Sequence, residues 1–145
     1  MIDMTPDMMA KLKRSLVLHE GFERHPYIDT VGKISIGIGY NLTDRGISDE
    51  WINSQYLEDV NYFYNQFSLK FPWFQDLSCD RQIILIDMAF MGWKKFLGFH
   101  KMIEALSKGD FKGAALEMLN SKWAEQVKGR ADSLAHGMLT GVYDV

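Results

Sequence analysis

Two carboxylate residues near the start of the chain, Glu20 and Asp29, are the first candidates for chemistry. A stripe of apolar residues precedes Glu20 at helical spacing, namely Met9, Leu12 and Leu16. A carboxylic acid at the end of such a stripe is suited to donate a proton as a general acid. The alternative is that Glu20 lies at a solvated helix end, hydrated or paired with Arg24.

Asp29 opens the turn signal Asp29–Gly32, nine positions after Glu20. Aspartate in a turn often accepts hydrogen bonds from its own backbone, so a purely structural role is an alternative here too. Ser35, Gly37 and Gly39 follow at alternate positions and are predicted to share one face of a strand, as a flat polar floor. Glycines in a strand favour close approach by a ligand such as an extended sugar chain, and the alternative is a tight packing contact or a β-bulge.

Two carboxylates and a hydroxyl around a shallow groove suit glycoside hydrolysis. In that chemistry one carboxylic acid protonates the leaving oxygen while a second carboxylate assists from the opposite side. Glu20 is the predicted acid and Asp29 its partner. Ser35 is predicted to hold a water beside Asp29, which favours direct attack by water and inversion of the anomeric configuration.

Local signals predict the elements that carry these residues. A helix is predicted to begin at Thr5 and Pro6 and to end at Gly21. A β-hairpin follows from Tyr27, with Ile34, Ile36 and Ile38 alternating along its second strand. Residues 41–46 indicate another turn, with one further short strand completing a small sheet.

The rest of the chain predicts helices. Ser48 is expected to cap a long helix that bridges the sheet to the remainder, and Ser78 to cap a helix that is apolar on every face and therefore central in a core. Five glycines then punctuate several short helices: Gly92, Gly98, Gly109, Gly129 and Gly141. The predicted class is α+β, mainly helical, with a small N-terminal β part.

Composition limits the classes of function. The chain has 145 residues, of which 47% are hydrophobic, and a formal charge of −3, so one domain is expected and a dedicated nucleic-acid binder is not. The only cysteine, Cys79, excludes an intramolecular disulfide and is expected to be a small buried residue. The four histidines are scattered, so neither a metal nor a cofactor is predicted. An apolar run long enough for stable membrane insertion and a secretory signal are both missing, which predicts synthesis as a cytosolic protein.

Three segments closely resemble the active-site region of the phage-type lysozymes, glycoside hydrolase family twenty-four. They are His19–Gly21, Tyr27–Lys33 and Ser35–Tyr40. The family motif has a Glu, eight residues, an Asp, five residues and a Thr, and its spacing places Glu20, Asp29 and Ser35 on those positions. Asp87–Phe90 is similar to the family's buried central helix, and Lys122–Ala131 to its C-terminal lobe.

The resemblance implies a single lysozyme-like domain over residues 1–145. It implies a small β lobe at about 20–50, a connecting helix over 48–68, and a helical lobe made of 1–19 and 68–145, with a glycan cleft between the lobes. It implies a muramidase of the endolysin type that cleaves between N-acetylmuramic acid and N-acetylglucosamine in peptidoglycan. We expect such a protein to be a monomer that is made in the cytoplasm of a bacterial host, is released through a membrane pore of the holin type and acts on the cell wall.

Two positions depart from the family pattern. Ser35 stands where the family usually has Thr, and Tyr40 where its T-even members have His. A catalytically silent peptidoglycan-binding module on the same fold is therefore the alternative function. Gly37, Gly39, Phe90 and Lys122 are the predicted substrate-binding positions, although Phe90, like Trp123, is more often core when it lies on an apolar helix.

Overall fold

The computed structural model describes residues 3–145, and its chain divides into two units, Met1–Ser54 and Gln55–Val145. Helices dominate the described residues, and a three-stranded antiparallel sheet lies in the first unit. The predicted α+β class is confirmed. The grouping of residues 1–19 with the later helices stays a prediction.

The first unit contains α1 (Pro6–Glu20), β1 (Glu23–Ile28), β2 (Ile34–Gly37), β3 (Tyr40–Asn41) and α2 (Leu42–Arg45).

Local sequence explains where α1 starts and ends. The Thr5 hydroxyl accepts a 3.2 Å hydrogen bond from the Met8 N–H, and Pro6 occupies the first helical position, where no N–H is needed. Gly21, at φ 86°, ends the helix in a conformation that favours glycine.

The sheet has the order β1-β2-β3. The predicted hairpin is confirmed, since Ile28 pairs with Ile34 and Tyr27 with Ser35. The third short strand is also confirmed, but it precedes the expected 41–46 turn, and that turn is the single helical turn α2. Asn41 caps α2 through a 3.0 Å hydrogen bond from the Asp44 N–H to Asn41 Oδ1.

The long helix predicted over 48–68 is α3 (Asp49–Lys70), which begins in the first unit and continues into the second. The Ser48 hydroxyl caps it by accepting a 3.1 Å hydrogen bond from the Trp51 N–H. The second unit then contains a 3₁₀ turn (Phe74–Asp76), α4 (Cys79–Ala89), α5 (Trp93–Leu97), α6 (His100–Ser107), α7 (Phe111–Leu119), α8 (Lys122–Val127) and α9 (Gly129–Thr140).

The core of the second unit is built around Phe67. Its ring lies 4.8 Å from the ring of Phe74, 4.9 Å from that of Phe96 and 5.0 Å from that of Trp93. Edge-to-face and offset contacts of this kind add to the free energy of burying the rings. Helices α4, α6, α7 and α9 supply most of the other buried apolar side chains: Ile84, Leu85, Met88, Met102, Leu106, Met118, Leu134 and Met138.

Three expectations about burial are wrong. The α1 stripe of Met9, Leu12 and Leu16 is 39–42% exposed, so apolar residues at helical spacing do not by themselves mark a buried face. Helix α4 buries one face only, and its Ile83 is 50% exposed. Cys79 is exposed, because it is the first residue of α4 and projects from the helix end.

No helix within residues 3–145 combines the length and the apolar character that a membrane crossing requires.

Candidate functional site

Glu20 lies at the C-terminal end of α1, and its exposed side chain packs against the Cα of Gly39. A Cβ built on Gly39 would lie 2.7 Å from Glu20 Oε2 and 3.0 Å from Glu20 Cβ. The Glu20 side chain therefore occupies the space that a side chain at position 39 would need. This contact joins the end of α1 to the turn between β2 and β3.

Asp29 directly follows β1, in the turn of the first hairpin. Its Oδ1 accepts hydrogen bonds from the Val31 N–H (3.0 Å) and the Lys33 N–H (2.8 Å). The backbone N–H of Asp29 also donates to the Lys33 carbonyl oxygen at 2.8 Å. The structural role considered for Asp29 is thus present. Its Oδ2 accepts no hydrogen bond from residues 3–145, so one carboxylate oxygen is available to a ligand or a water.

Ser35 lies in the central strand β2 of the same hairpin, between its partners Tyr27 on β1 and Asn41 on β3. It is 4% exposed and is the only buried residue in the described part of the first unit. Its hydroxyl makes no hydrogen bond with any described residue. A hydroxyl without a protein partner on a mostly buried residue favours binding a water or a polar ligand group.

The predicted flat floor is wrong at Gly39. Strand β2 ends at Gly37, and the chain then turns through Ile38 and Gly39 between the paired residues Ile36 and Tyr40. Gly37 and Gly39 have φ of 68° and 63°, values that favour glycine and allow a three-residue hairpin loop. At Gly39 the close neighbour is Glu20, as in the packing alternative. At Gly37 a Cβ would meet nothing within 4 Å, so that side of the turn is open.

The segment after β3 is held by contacts of Tyr40, which lies outside the Glu20, Asp29 and Ser35 motif. The Tyr40 hydroxyl donates a 2.5 Å hydrogen bond to the Gly46 carbonyl oxygen. The Arg45 guanidinium lies 4.4 Å from the centre of the Tyr40 ring, and Trp51 packs against that ring edge-on at 6.1 Å. The only sequence signal for this arrangement is the pair of aromatic residues flanking a polar turn.

A second set of polar contacts ties α2 to β2. Lys33 Nζ donates a 2.9 Å hydrogen bond to Asp44 Oδ1, and the Ile34 N–H donates to the Thr43 hydroxyl at 2.8 Å. The hydrogen bond from Lys33, with a second from Asn41, holds the pKa of Asp44 below its usual value. The same hydrogen bond raises the pKa of Lys33, and the negative charge of Asp44 adds to this effect.

The other two predicted substrate-binding residues lie in the second unit. Phe90 is 47% exposed and contacts Phe63, with 5.2 Å between ring centres. Lys122 is the exposed first residue of α8, and it lines a surface cavity of about 850 Å³ together with Phe90. Trp123 is 7% exposed and belongs to the core, as expected.

Among the described residues, no group of three or more His, Cys, Asp and Glu side chains could hold a metal ion. The catalytic candidates in the first unit are two carboxylates and a hydroxyl, which can donate, accept and position protons.

No protein-family model and no curated protein matches the sequence. Family membership is therefore a proposal that depends on the Glu20, Asp29 and Ser35 motif and on its geometry.

Proposed function

We propose that this chain is a muramidase of the phage-type lysozyme family, with a lysozyme-like fold, that hydrolyses the bond between N-acetylmuramic acid and N-acetylglucosamine in peptidoglycan. The observation that carries the proposal is the contact between Glu20 and Gly39, which places a carboxylate against the sheet that also carries Asp29 and Ser35. The contact joins two residues that are 19 positions apart along the chain.

The proposed reaction needs one proton donor and one proton acceptor. Glu20 protonates the glycosidic oxygen as its bond to the anomeric carbon breaks. A water attacks the anomeric carbon from the opposite face and loses a proton to Asp29. Asp29 Oδ2, which no described residue occupies, is the oxygen suited to this step, since Oδ1 is held by the turn.

Ser35 is proposed to bind the attacking water. Its hydroxyl has no partner among the residues described, and it lies two strand positions after the hairpin turn that begins at Asp29. Attack by a bound water inverts the anomeric configuration, so the first product should carry the α-anomer. A first product with the β-anomer would contradict direct attack by water.

Glycan contacts are proposed at three further positions. Gly37 offers an open backbone surface in the first unit. Phe90 and Lys122 in the second unit offer an exposed ring and a cation beside one surface cavity. Sugar rings commonly pack on exposed aromatic faces, and Lys122 can donate to hydroxyl or carboxylate oxygens of the polymer.

The test is release of muropeptides from purified Gram-negative peptidoglycan, with the new ends identified by mass spectrometry. We expect reducing N-acetylmuramic acid ends from the wild type and almost none from Glu20→Gln. Glu23→Gln is the matched control, because Glu23 is an exposed carboxylate on β1 of the same sheet. It should release as much as the wild type.

If the wild type released no muropeptides but still bound the wall polymer, the muramidase proposal would be contradicted and the silent binding module would be supported. Release of other ends, such as free peptide amino groups, would contradict glycosidase activity altogether.

A further inference from the structure

We propose that Gly39 is a positioning residue for Glu20, rather than a part of the surface on which a glycan lies. This inference rests on the proposed function only in taking Glu20 as the general acid. The contact itself is a property of the fold, and it can be tested without any substrate.

The geometry leaves no room for a side chain at position 39. A Cβ there would lie 2.7 Å from the Glu20 carboxylate oxygen Oε2, 3.0 Å from Glu20 Cβ and 3.1 Å from Glu20 Cδ. These distances are well inside ordinary van der Waals contact, and they involve both the base and the end of the Glu20 side chain. A methyl group at position 39 therefore requires the Glu20 carboxylate to shift from its present place.

The turn cannot easily move away to relieve such a clash. Gly39 lies in the three-residue connection whose two ends are fixed by the pairing of Ile36 with Tyr40 and of Ser35 with Asn41. On the other side, Glu20 is the last residue of α1, and the Gly21 N–H is bonded to the Val17 carbonyl oxygen at 2.9 Å. The most mobile part of the contact is the Glu20 carboxylate, so it is the group that must shift.

Gly46 provides a matched control for the cost of left-handed backbone. It has φ of 59°, close to the 63° of Gly39, and lies in the same unit. A Cβ at Gly46 would meet nothing within 4 Å. Gly39→Ala and Gly46→Ala therefore both place a Cβ on a residue with positive φ, and they differ in the contact with Glu20.

The first readout is structural and needs no activity. In protein labelled with ¹³C at glutamate carboxyl carbons, the chemical shift of the Glu20 signal should change in Gly39→Ala and stay as in the wild type in Gly46→Ala. An unchanged Glu20 signal in a folded Gly39→Ala variant would overturn the proposal. If alanine at position 39 prevents folding, Gly39→Asn and Gly46→Asn replace the pair, because asparagine tolerates positive φ but still carries a Cβ.

The second readout is kinetic. Gly39→Ala should lower kcat by roughly tenfold or more, with KM within about twofold of the wild type, because the general acid is displaced while binding is retained. In a Glu20→Gln background, Gly39→Ala should cause no further loss, because its effect acts through the Glu20 carboxylate. A rise in KM with unchanged kcat would overturn the positioning role in favour of glycan binding.

A wild type without muramidase activity would refute the proposed function, and the carboxyl signal would still decide the role of Gly39.

Discussion

The Lys33 N–H donates a 2.8 Å hydrogen bond to Asp29 Oδ1, and the same oxygen accepts from the Val31 N–H. One oxygen of this carboxylate is therefore a structural part of the hairpin turn, and the other is open. The two functions that the sequence left as alternatives for Asp29 are compatible, because they use different oxygens. They can also be separated by mutation.

Asp29→Asn should keep the turn and lose the chemistry. The amide oxygen of asparagine can accept the same two hydrogen bonds, so the free energy of unfolding should change by less than about 0.5 kcal/mol. The amide cannot accept a proton from water, so muropeptide release should fall by roughly a hundredfold or more. Urea denaturation and the release assay measure the two effects.

Asp29→Ala is the companion variant, and it should lose both functions. Removing two partly exposed hydrogen bonds should destabilise the hairpin by about 1 kcal/mol. If Asp29→Asn kept full activity and Asp29→Ala lost stability, Asp29 would be a turn residue only.

Ser35→Ala should impair activity more than stability. Ser35 is a buried residue, but its hydroxyl bonds to no described residue. Alanine therefore removes no hydrogen bond within residues 3–145, and the change in unfolding free energy should stay within about 1 kcal/mol. If the hydroxyl holds the attacking water, kcat should fall roughly tenfold to a hundredfold. Ser54→Ala, at an exposed position on α3, is the control for removing a hydroxyl. Equal kcat for both variants and the wild type would rule out water binding by Ser35.

The starts of the helices could be predicted from the sequence because the capping hydrogen bonds join residues that are close together along the chain. Thr5, Ser48 and Ser78 each cap the helix that they were expected to begin, by accepting a hydrogen bond from an N–H three residues ahead. The same holds for the hairpin at Asp29, where the turn is closed within five residues. Short-range spacing contains the information for such contacts.

Burial and the Glu20 contact were not predictable in the same way. The periodicity of α1 correctly marks which side chains share a face, but it does not tell whether another element covers that face. Gly39 was assigned to a strand because it continues an alternating pattern, whereas two glycines at positive φ turn the chain at that point. Its contact with Glu20 joins positions 19 residues apart, which no local pattern relates.

The Lys33–Asp44 ion pair should make the stability of the first unit depend on pH. The pKa of Asp44 is lowered in the folded protein, so its contribution is present above the usual value of 3.8 and is lost as pH falls through the lowered folded pKa. The pKa of Lys33 is raised above 10.5, so its contribution is lost as pH rises through that raised value. The pair should therefore stabilise the fold across the range between these limits.

Asp44→Asn tests this dependence through unfolding curves measured from acid to alkaline pH. The difference in stability between wild type and variant should shrink toward zero in strong acid, where the aspartate is protonated, and it should also shrink as salt is added, because the pair is exposed. If the difference in stability between wild type and Asp44→Asn were constant across pH, its cause would be the hydrogen-bond geometry around Asn41 rather than the charge of Asp44.

Lys128→Gly should stabilise the second unit. Lys128 joins α8 to α9 and is the one non-glycine residue with positive φ among those described, at φ 41° and ψ −109°. A side chain in this conformation costs on the order of 1–3 kcal/mol, whereas glycine adopts it freely. The larger entropy of glycine in the unfolded chain offsets part of that gain, so the expected net increase in unfolding free energy is about 1 kcal/mol.

Lys128→Gln is the matched control, since it removes the charge and keeps the backbone strain, and its stability should equal that of the wild type. A loss of stability in Lys128→Gly, of the size usual for glycine near an exposed helix end, would mean that Lys128 is not strained in solution.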